Sequence, residues 1–439
     1  MLQKGKVNFL LDFYYGSSAK GQTITALADK HRPEILIANH STSASHTVIE
    51  GEHEFVFKAL PTASFLNKVR PDYKPLVVMS SDTGFEISQL MKEIEYCGLT
   101  KEQVLIHPRA AVITQAHKDA EAGENGTLHL GSTMSGQAYA FSEKMTRQKG
   151  AKLAKDYPEL KEIATIVDDE DYYPFHLAKI LDAGGTALYE MPQGFPLSLN
   201  HGPKFPFSTF RDITPDAAIS TIGLNSADYR GAVVANIRSL PIRVSNRYKG
   251  NTMEHVTLTT DKGEVRPEDI GMDYSDVNAI TYDVNFKNVS RSFGDHVITK
   301  VNGVVGTSGP FEDDMAEISW RDLSSDLTKL AGKETNVKEI TTLTKLNRRI
   351  ARPVNGWSIS RDMAHKAKVT VGVTHVAFTF LNYIDPTVEG ATTEQDLAKS
   401  EIVGKWLNQA KEDIKAVWGK DLPICSLQAG KELKNVVLL

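Results

Sequence analysis

Cysteine is nearly absent: the 439 residues contain only Cys97 and Cys425, far apart in the chain. That excludes a disulfide framework or a cysteine-held zinc, and it fits a reducing compartment. No run approaches the ~20 consecutive apolar residues of a membrane span. No strong basic block is present and the net charge is −5, which argues against direct binding of duplex nucleic acid. No repeat of fixed period occurs. Glycine and proline are spread evenly rather than gathered into a linker, so a single domain over residues 1–439, with large insertions, is expected. The N-terminus, MLQKGKVNFLLDF, enters a strand pattern directly and lacks a signal-peptide cleavage pattern, so a cytoplasmic location is expected. Hydrophobic content of 41% and charged content of 24% are those of an ordinary soluble globular protein.

What is there is an alternation of strand and helix. Apolar runs at residues 7–11, 35–37, 55–57, 76–79, 104–106 and 111–114 read as strands. Helical patterns cover 85–97, 142–155, 176–183 and 394–418, the last amphipathic. The alternation predicts an α/β fold: a mostly parallel central sheet with helices on both faces and the active cleft at the C-terminal ends of its strands. Residues 261–276 and 309–337 are polar and poorly patterned and read as surface excursions.

The stretch VNFLLDFYYGSSAKGQT organises the rest. A buried strand breaks into Gly16-Ser17-Ser18-Ala19-Lys20-Gly21, and a helix begins near Gln22. Small residues between strand and helix let backbone N–H groups converge, while the helix N-terminus and Lys20 add positive charge. This is a phosphate cradle without the full spacing of the Walker-type loop; an ordinary βα turn with a solvated lysine has the same pattern. His40, His46 and His53 follow. A histidine in a small, polar loop can be a general acid, but His40 and His53 read as surface residues. Gly131-Ser132-Thr133 before a helix suits phosphate through hydroxyls and N–H groups, and equally a capped helix start.

Taken together, these segments resemble the adenylosuccinate synthetases. Tyr15 to Gln22 resembles that family's first nucleotide loop, WGDEGKGK, with both terminal glycines and the lysine kept and the acid pair replaced by Ser17-Ser18. Ser43-Ala44-Ser45-His46-Thr47 resembles NAGHT, and residues 106–110 resemble ISPRA. Residues 131–137 resemble the GTT loop, with Arg147 following at nearly the family spacing. Glu190-Met191-Pro192-Gln193-Gly194 resembles EGAQG, residues 197–202 LDIDHG, 205–209 YPYVT, and 241–244 TTRVG. Residues 341–349 resemble a threonine-rich loop ending in RxRR, with Leu346 in place of its first arginine. Residues 371–382 resemble VNGVTSLALTKLD, and residues 422–426 the final VPV strand.

The resemblance implies an NTP-dependent ligase that joins an amino acid, with aspartate expected, to the 6-position of a purine monophosphate through a 6-phosphoryl intermediate. It implies His46, Ser17, Lys20 and Gln193 at the chemistry. It places the monophosphate acceptor on Ser17, Ser43, Ser132, Thr133, Gln193, Thr209 and Arg243, with Arg147 reaching across a homodimer interface. The donor nucleotide falls to Gly16, Ala19, Lys20, Gly21, Gln22, His46, Thr47, Arg349 and Asn382. The amino acid falls to Thr342, Thr344, Lys345 and Arg348, and Mg²⁺ to Ser17 and Ser45. Two departures point to substrate. Ser17 stands where the family carries the carboxylate that deprotonates N1 of IMP, a change found in a viral branch that admits dGMP and makes the succinylated precursor of 2-aminoadenine. Asn382 replaces the aspartate that selects guanine in the donor, and an asparagine suits adenine, so ATP or dATP is the expected donor.

Overall fold

The computed structural model describes residues 1–124, 126–167, 171–332, 337–338 and 348–439. Its centre is a ten-stranded sheet. From one edge the order is Val436–Leu438, Ile424–Gln428, His375–Thr379, Arg230–Arg238, β1 (Val7–Asp12), Ala187–Gly194, β2 (Ile35–Ala38), β5 (Leu76–Met79), Val104–Ile106 and Thr165–Ile166. Every neighbouring pair is parallel except the edge pair formed by the last two strands in sequence. The expected α/β architecture is therefore present, and β1 lies in the middle of it.

All six residues of β1 are buried. A strand covered on both faces needs a continuous apolar run, and Val7, Phe9, Leu10 and Leu11 supply it. Phe9, Leu11 and Phe13 join Tyr189, Val233 and Phe378 in the main core. Leu10 packs on the other face with Ile24 and Leu27 of α1 (Lys20–His31). β1 thus holds α1 against the sheet and delivers the loop at residues 13–19 to the C-terminal edge.

Several sequence expectations are corrected. The strand expected at 55–57 is present, in a hairpin of β3 (His46–Glu50) and β4 (His53–Phe57) outside the large sheet. The helix expected at 142–155 runs instead over Gln137–Thr146, between left-handed Gly136 and Arg147. The pattern at 394–418 divides into Glu394–Ala398 and Glu401–Trp418, because the Ser400 side chain caps the second helix through the Val403 N–H. Residues 309–337 are no mere surface excursion. They hold the strand Met315–Ile318 and the helix Trp320–Ala331, whose Trp320, Leu323 and Leu327 are buried. Residues 261–276 belong to an antiparallel patch with its own small core of Tyr248, Leu258, Val277 and Ile298.

Candidate active site

The loop after β1 is held by its backbone. Ser17 and Ala19 take left-handed conformations (φ 53° and 59°), which carry strain in non-glycine residues. Arg238 Nη1 donates to the Ser17 carbonyl at 2.9 Å, and its guanidinium stacks 3.6 Å from the Phe380 ring centre. The Ser18 carbonyl accepts from Asn236 Nδ2 at 2.6 Å and Thr379 Oγ1 at 2.9 Å. These donors over-determine the turn. No side chain caps α1 and no acid lies in its first turn; the Gln22 and Thr23 N–H groups bond to the Ala19 carbonyl, which leaves those of Lys20 and Gly21 for an anion. Gly21 permits a close approach: a Cβ there would stand 2.9 Å from the Thr47 carbonyl and 3.2 Å from His46 Cβ. Gln22 donates from Nε2 to the Lys431 carbonyl at 2.6 Å, tying α1 to the C-terminal loop.

Lys20 is buried and donates to the Gln193 carbonyl at 2.8 Å and to Asp12 Oδ2 at 3.3 Å. Asp12 also accepts from the Tyr14 N–H, so both of its oxygens are engaged within the loop. Ser17 itself is exposed, and its Oγ lies 3.4 Å from Arg348 Nε. The cleft at this point is lined by a neutral hydroxyl and a guanidinium, where the family pattern carries a carboxylate.

His46 Nδ1 is 2.6 Å from Glu190 Oε1. Glu190 also accepts from the Thr62 N–H at 2.7 Å and Thr62 Oγ1 at 2.9 Å. Burial opposes ionisation of Glu190, but the two neighbouring histidines and the Thr62 donor hold it as a carboxylate, well below the usual range. This orients the imidazole with Nδ1–H on the carboxylate and Nε2 left for a ligand. His40, expected at the surface, is 1% exposed and packs edge-on against His46 at 4.5 Å. Burial pulls its pKa down to about 3, so it stays neutral. Its burial follows from a bond between Nδ1 and the Leu60 carbonyl at 3.0 Å, a long-range contact that no local pattern announces.

On the acceptor side, Ser43 Oγ donates to Gln137 Oε1 and lies 3.4 Å from Gln193 Nε2. The loop at 131–136 docks here, with Thr42 Oγ1 donating to the Ser135 carbonyl at 2.9 Å. Thr133 is exposed and bonded to Ser135. Arg243 is buried over the Tyr15 ring at 4.2 Å, with its Nε unpartnered. Burial pulls its pKa down to about 10. The Thr209 N–H bonds to the Leu197 carbonyl, and Arg243 reaches the nearby Phe207 carbonyl at 3.5 Å. Arg147 is exposed just past its helix.

Two expected ligand residues are engaged within the chain. The Ser132 hydroxyl donates to Glu121, which also accepts from the Gly136 N–H, so that proton is not free for a phosphate. Arg349 does not face the donor loop. It forms a buried bidentate pair with Glu317 at 2.6 and 2.7 Å, and its remaining arm donates to the Gly309 carbonyl at 2.7 Å. Strand alternation is the cause: Arg348 and Arg349 open the strand Arg348–Pro353 and must point to opposite sides. Thr342, Thr344 and Lys345 lie outside the described residues.

For magnesium, the donor set is sparse. Ser17 and Ser45 are exposed and offer neutral oxygens only. Among the described residues, the one group of three histidine, cysteine or acidic side chains close enough to share an ion is His40, His46 and Glu190. That nitrogen-rich set, already engaged with Thr62, does not suit Mg²⁺. Ser17 and Ser45 fit a magnesium ion whose charge is balanced chiefly by nucleotide phosphates. Asn382 is buried and donates from Nδ2 to Glu389, leaving Oδ1 as the free, unpartnered atom.

The adenylosuccinate synthetase family profile matches residues 10–163. The N6-succino-2-amino-2′-deoxyadenylate synthase of Vibrio phage phiVC8 is 31% identical over 270 residues, covering 60% of this chain and 75% of that protein. The chain belongs to the adenylosuccinate synthetase family. The enzyme of the same name from Cyanophage S-2L is 32% identical over 247 residues, which cover 55% of this chain and 64% of that relative's length. The one from Salmonella phage PMBT28 is 27% identical, covering 87% of this chain and 86% of that one. The solved Cyanophage S-2L synthetase, bound to dGMP and to dATP as an energy donor, superposes with a TM-score of 0.66 at 25% identity, covering 99% of this chain and 95% of that one. Fully ligated adenylosuccinate synthetase from Plasmodium falciparum shares the fold, with a TM-score of 0.63 at 15% identity over 99% of this chain and 100% of that one.

Sequence reading missed Glu190, Gln137, Glu121 and Arg238 as parts of the site. Glu190 carried a signal: a charge inside an otherwise apolar buried strand, Ala187–Gly194, is costly unless it is paired. Gln137, Glu121 and Arg238 gave none, because their partners are distant in sequence.

Proposed function

We propose that this chain is an ATP- or dATP-dependent ligase that joins aspartate to the 6-position of dGMP, giving the succinylated precursor of 2-aminoadenine. The observation that carries it is Ser17. Held at the cleft by Arg238, it presents a hydroxyl where a carboxylate would meet the guanine 2-amino group and N1–H. A hydroxyl leaves room and can accept from that amino group. A site built to pair with it disfavours IMP, which lacks it. The names of the phage relatives support the same reading.

The chemistry has two steps. N1 gives up its proton to water as the 6-oxygen attacks the donor γ-phosphorus and the nucleoside diphosphate leaves; the aspartate amine then attacks C6, loses a proton to water and displaces phosphate. Lys20 and the open N-terminus of α1 neutralise the donor phosphates. His46, held at Nδ1 by Glu190, stabilises charge on the 6-oxygen as an imidazolium whose Nε2–H donates to it, the Glu190 carboxylate balancing the ring's charge. Arg348, beside Ser17, is placed for an aspartate carboxylate. When bound, Mg²⁺ supplies charge neutralisation on the phosphates. Asn382 presents its carbonyl oxygen to the donor base, which suits the adenine 6-amino group. The working form is a homodimer that shares Arg147 across its interface.

Phosphate release with dGMP, GMP and IMP, each with aspartate and with ATP, dATP or GTP, tests the reading. The expected best set is dGMP with ATP or dATP. IMP as the best acceptor would make the chain an ordinary adenylosuccinate synthetase, and a clear GTP preference would overturn the role of Asn382.

A further inference from the structure

Gln137 opens the helix Gln137–Thr146 and is 3% exposed. Its carbonyl oxygen is taken: Ser43 Oγ donates to Oε1 at 2.5 Å. In this bond the hydroxyl is the donor and the amide oxygen the acceptor. Its Nε2 is buried and has no partner. A buried amide N–H₂ left without an acceptor costs free energy. One hydroxyl away, Gln193 places its own Nε2 3.4 Å from Ser43 and leaves its Oε1 without a partner. Ser43 therefore links two amides and leaves, among the described residues, one buried donor and one buried acceptor without a partner. The helix that Gln137 opens has no side-chain cap, and its N-cap Gly136 is left-handed with φ 75°. Glu121, on the helix Gln115–Ala122, accepts from the Gly136 N–H, Ser132 and Thr127.

We propose that Gln137 is a substrate-binding residue whose amide N–H₂, aimed by Ser43, donates to the monophosphate of the acceptor nucleotide. This rests on the function proposed above. It adds a contact to the phosphate subsite that the resemblance did not contain. An amide on the 137–146 helix supplies the donor that the short Ser43 side chain cannot extend to the ligand. Ser43 acts through Gln137 and is a positioning residue.

The test is direct binding of dGMP and of deoxyguanosine, which lacks the phosphate, by calorimetry, with thermal melts as the folding check. Gln137→Leu should weaken dGMP binding roughly ten- to a hundredfold and leave the weak binding of deoxyguanosine unchanged. Gln137→Glu keeps the shape, removes the donor and adds a negative charge, so it should weaken dGMP further. Ser43→Ala frees the amide to rotate and should give a smaller loss than Gln137→Leu, absent in the Ser43→Ala/Gln137→Leu double variant beyond that of Gln137→Leu alone. Normal dGMP binding by folded Gln137→Leu overturns the assignment, as does an equal loss for deoxyguanosine. If the unaltered protein binds IMP but not dGMP, the proposed acceptor is wrong, while Gln137→Leu measured on IMP still decides the role of the amide.

Discussion

At the scale of single residues, the site works through pairs in which a buried group fixes its neighbour. Glu190 holds His46 by Nδ1, and Thr62 holds Glu190. Glu190→Gln keeps the volume but removes the carboxylate charge that pairs with the His46 ring when it bears both N–H groups. Turnover should fall roughly 10²-fold, the lower end of acid–base contributions, with KM for the nucleotides little changed; steady-state kinetics decide. His40 makes a separate prediction about stability. Its pKa falls from 6.5 to about 3 on folding, because burial disfavours the imidazolium. The unfolded chain takes up this proton near pH 6.5 and the folded chain only near 3, so acid favours unfolding across that window. Burial shifts His31 and His375 in the same direction, so the comparison must be with His40→Gln. That variant should lose less stability than the unaltered protein between pH 6.5 and 4 in thermal melts. Equal slopes would show that His40 does not contribute.

At the scale of elements, alternation along one strand separates binding from stability. Arg348 lies beside Ser17, while Arg349, its neighbour, is locked to Glu317 in the interior. Removing Arg349 leaves Glu317 as a buried, unpaired carboxylate, so Arg349→Ala should cost roughly 3–5 kcal/mol in denaturant melts. Arg348→Ala should leave the melt nearly unchanged and raise KM for aspartate. The reverse pattern would mean that the strand faces are misassigned. This pair also marks what the sequence could show. The β1–loop–α1 unit was readable because its signals are local: a continuous apolar run, small residues, a lysine and a helix start. Asp12 and Gln193 meet Lys20 because neighbouring parallel strands end at one edge, while the β3–β4 hairpin brings His46 to Glu190. Contacts set by distant partners were not readable. Ser132 appeared free until Glu121 reached it, and His40 appeared exposed until the Leu60 carbonyl claimed it. The helix Trp320–Ala331 was hidden in a stretch judged by its polarity, although its three buried positions at 320, 323 and 327 follow helical spacing.

At the scale of the whole molecule, the site draws on both ends of the chain: Lys20 and His46 come from the first elements, and Arg348 and Asn382 from the last third. The antiparallel patch around Tyr248 and Ile298 has its own core beside this arrangement, which fits our proposal of one domain carrying insertions. Arg147 sits exposed where the 137–146 helix ends in a left-handed residue, while the other end of that helix carries Gln137. Met145, two residues before it, is 74% exposed, an apolar side chain suited to burial by a second copy. A two-fold dimer that exchanges this helix end would bring each Arg147 to the other copy's acceptor phosphate. Complementation tests that exchange. Arg147→Leu and His46→Ala homodimers should each be nearly inactive. When the two are unfolded together and refolded in equal amounts, half the dimers are mixed, and each mixed dimer holds one site with an intact His46 and an intact Arg147 from its partner. Activity should return to roughly a quarter of the unaltered level. If the mixture stays as inactive as its parents while size-exclusion chromatography shows mixed dimers, Arg147 serves its own copy or none, and the shared-site dimer is wrong.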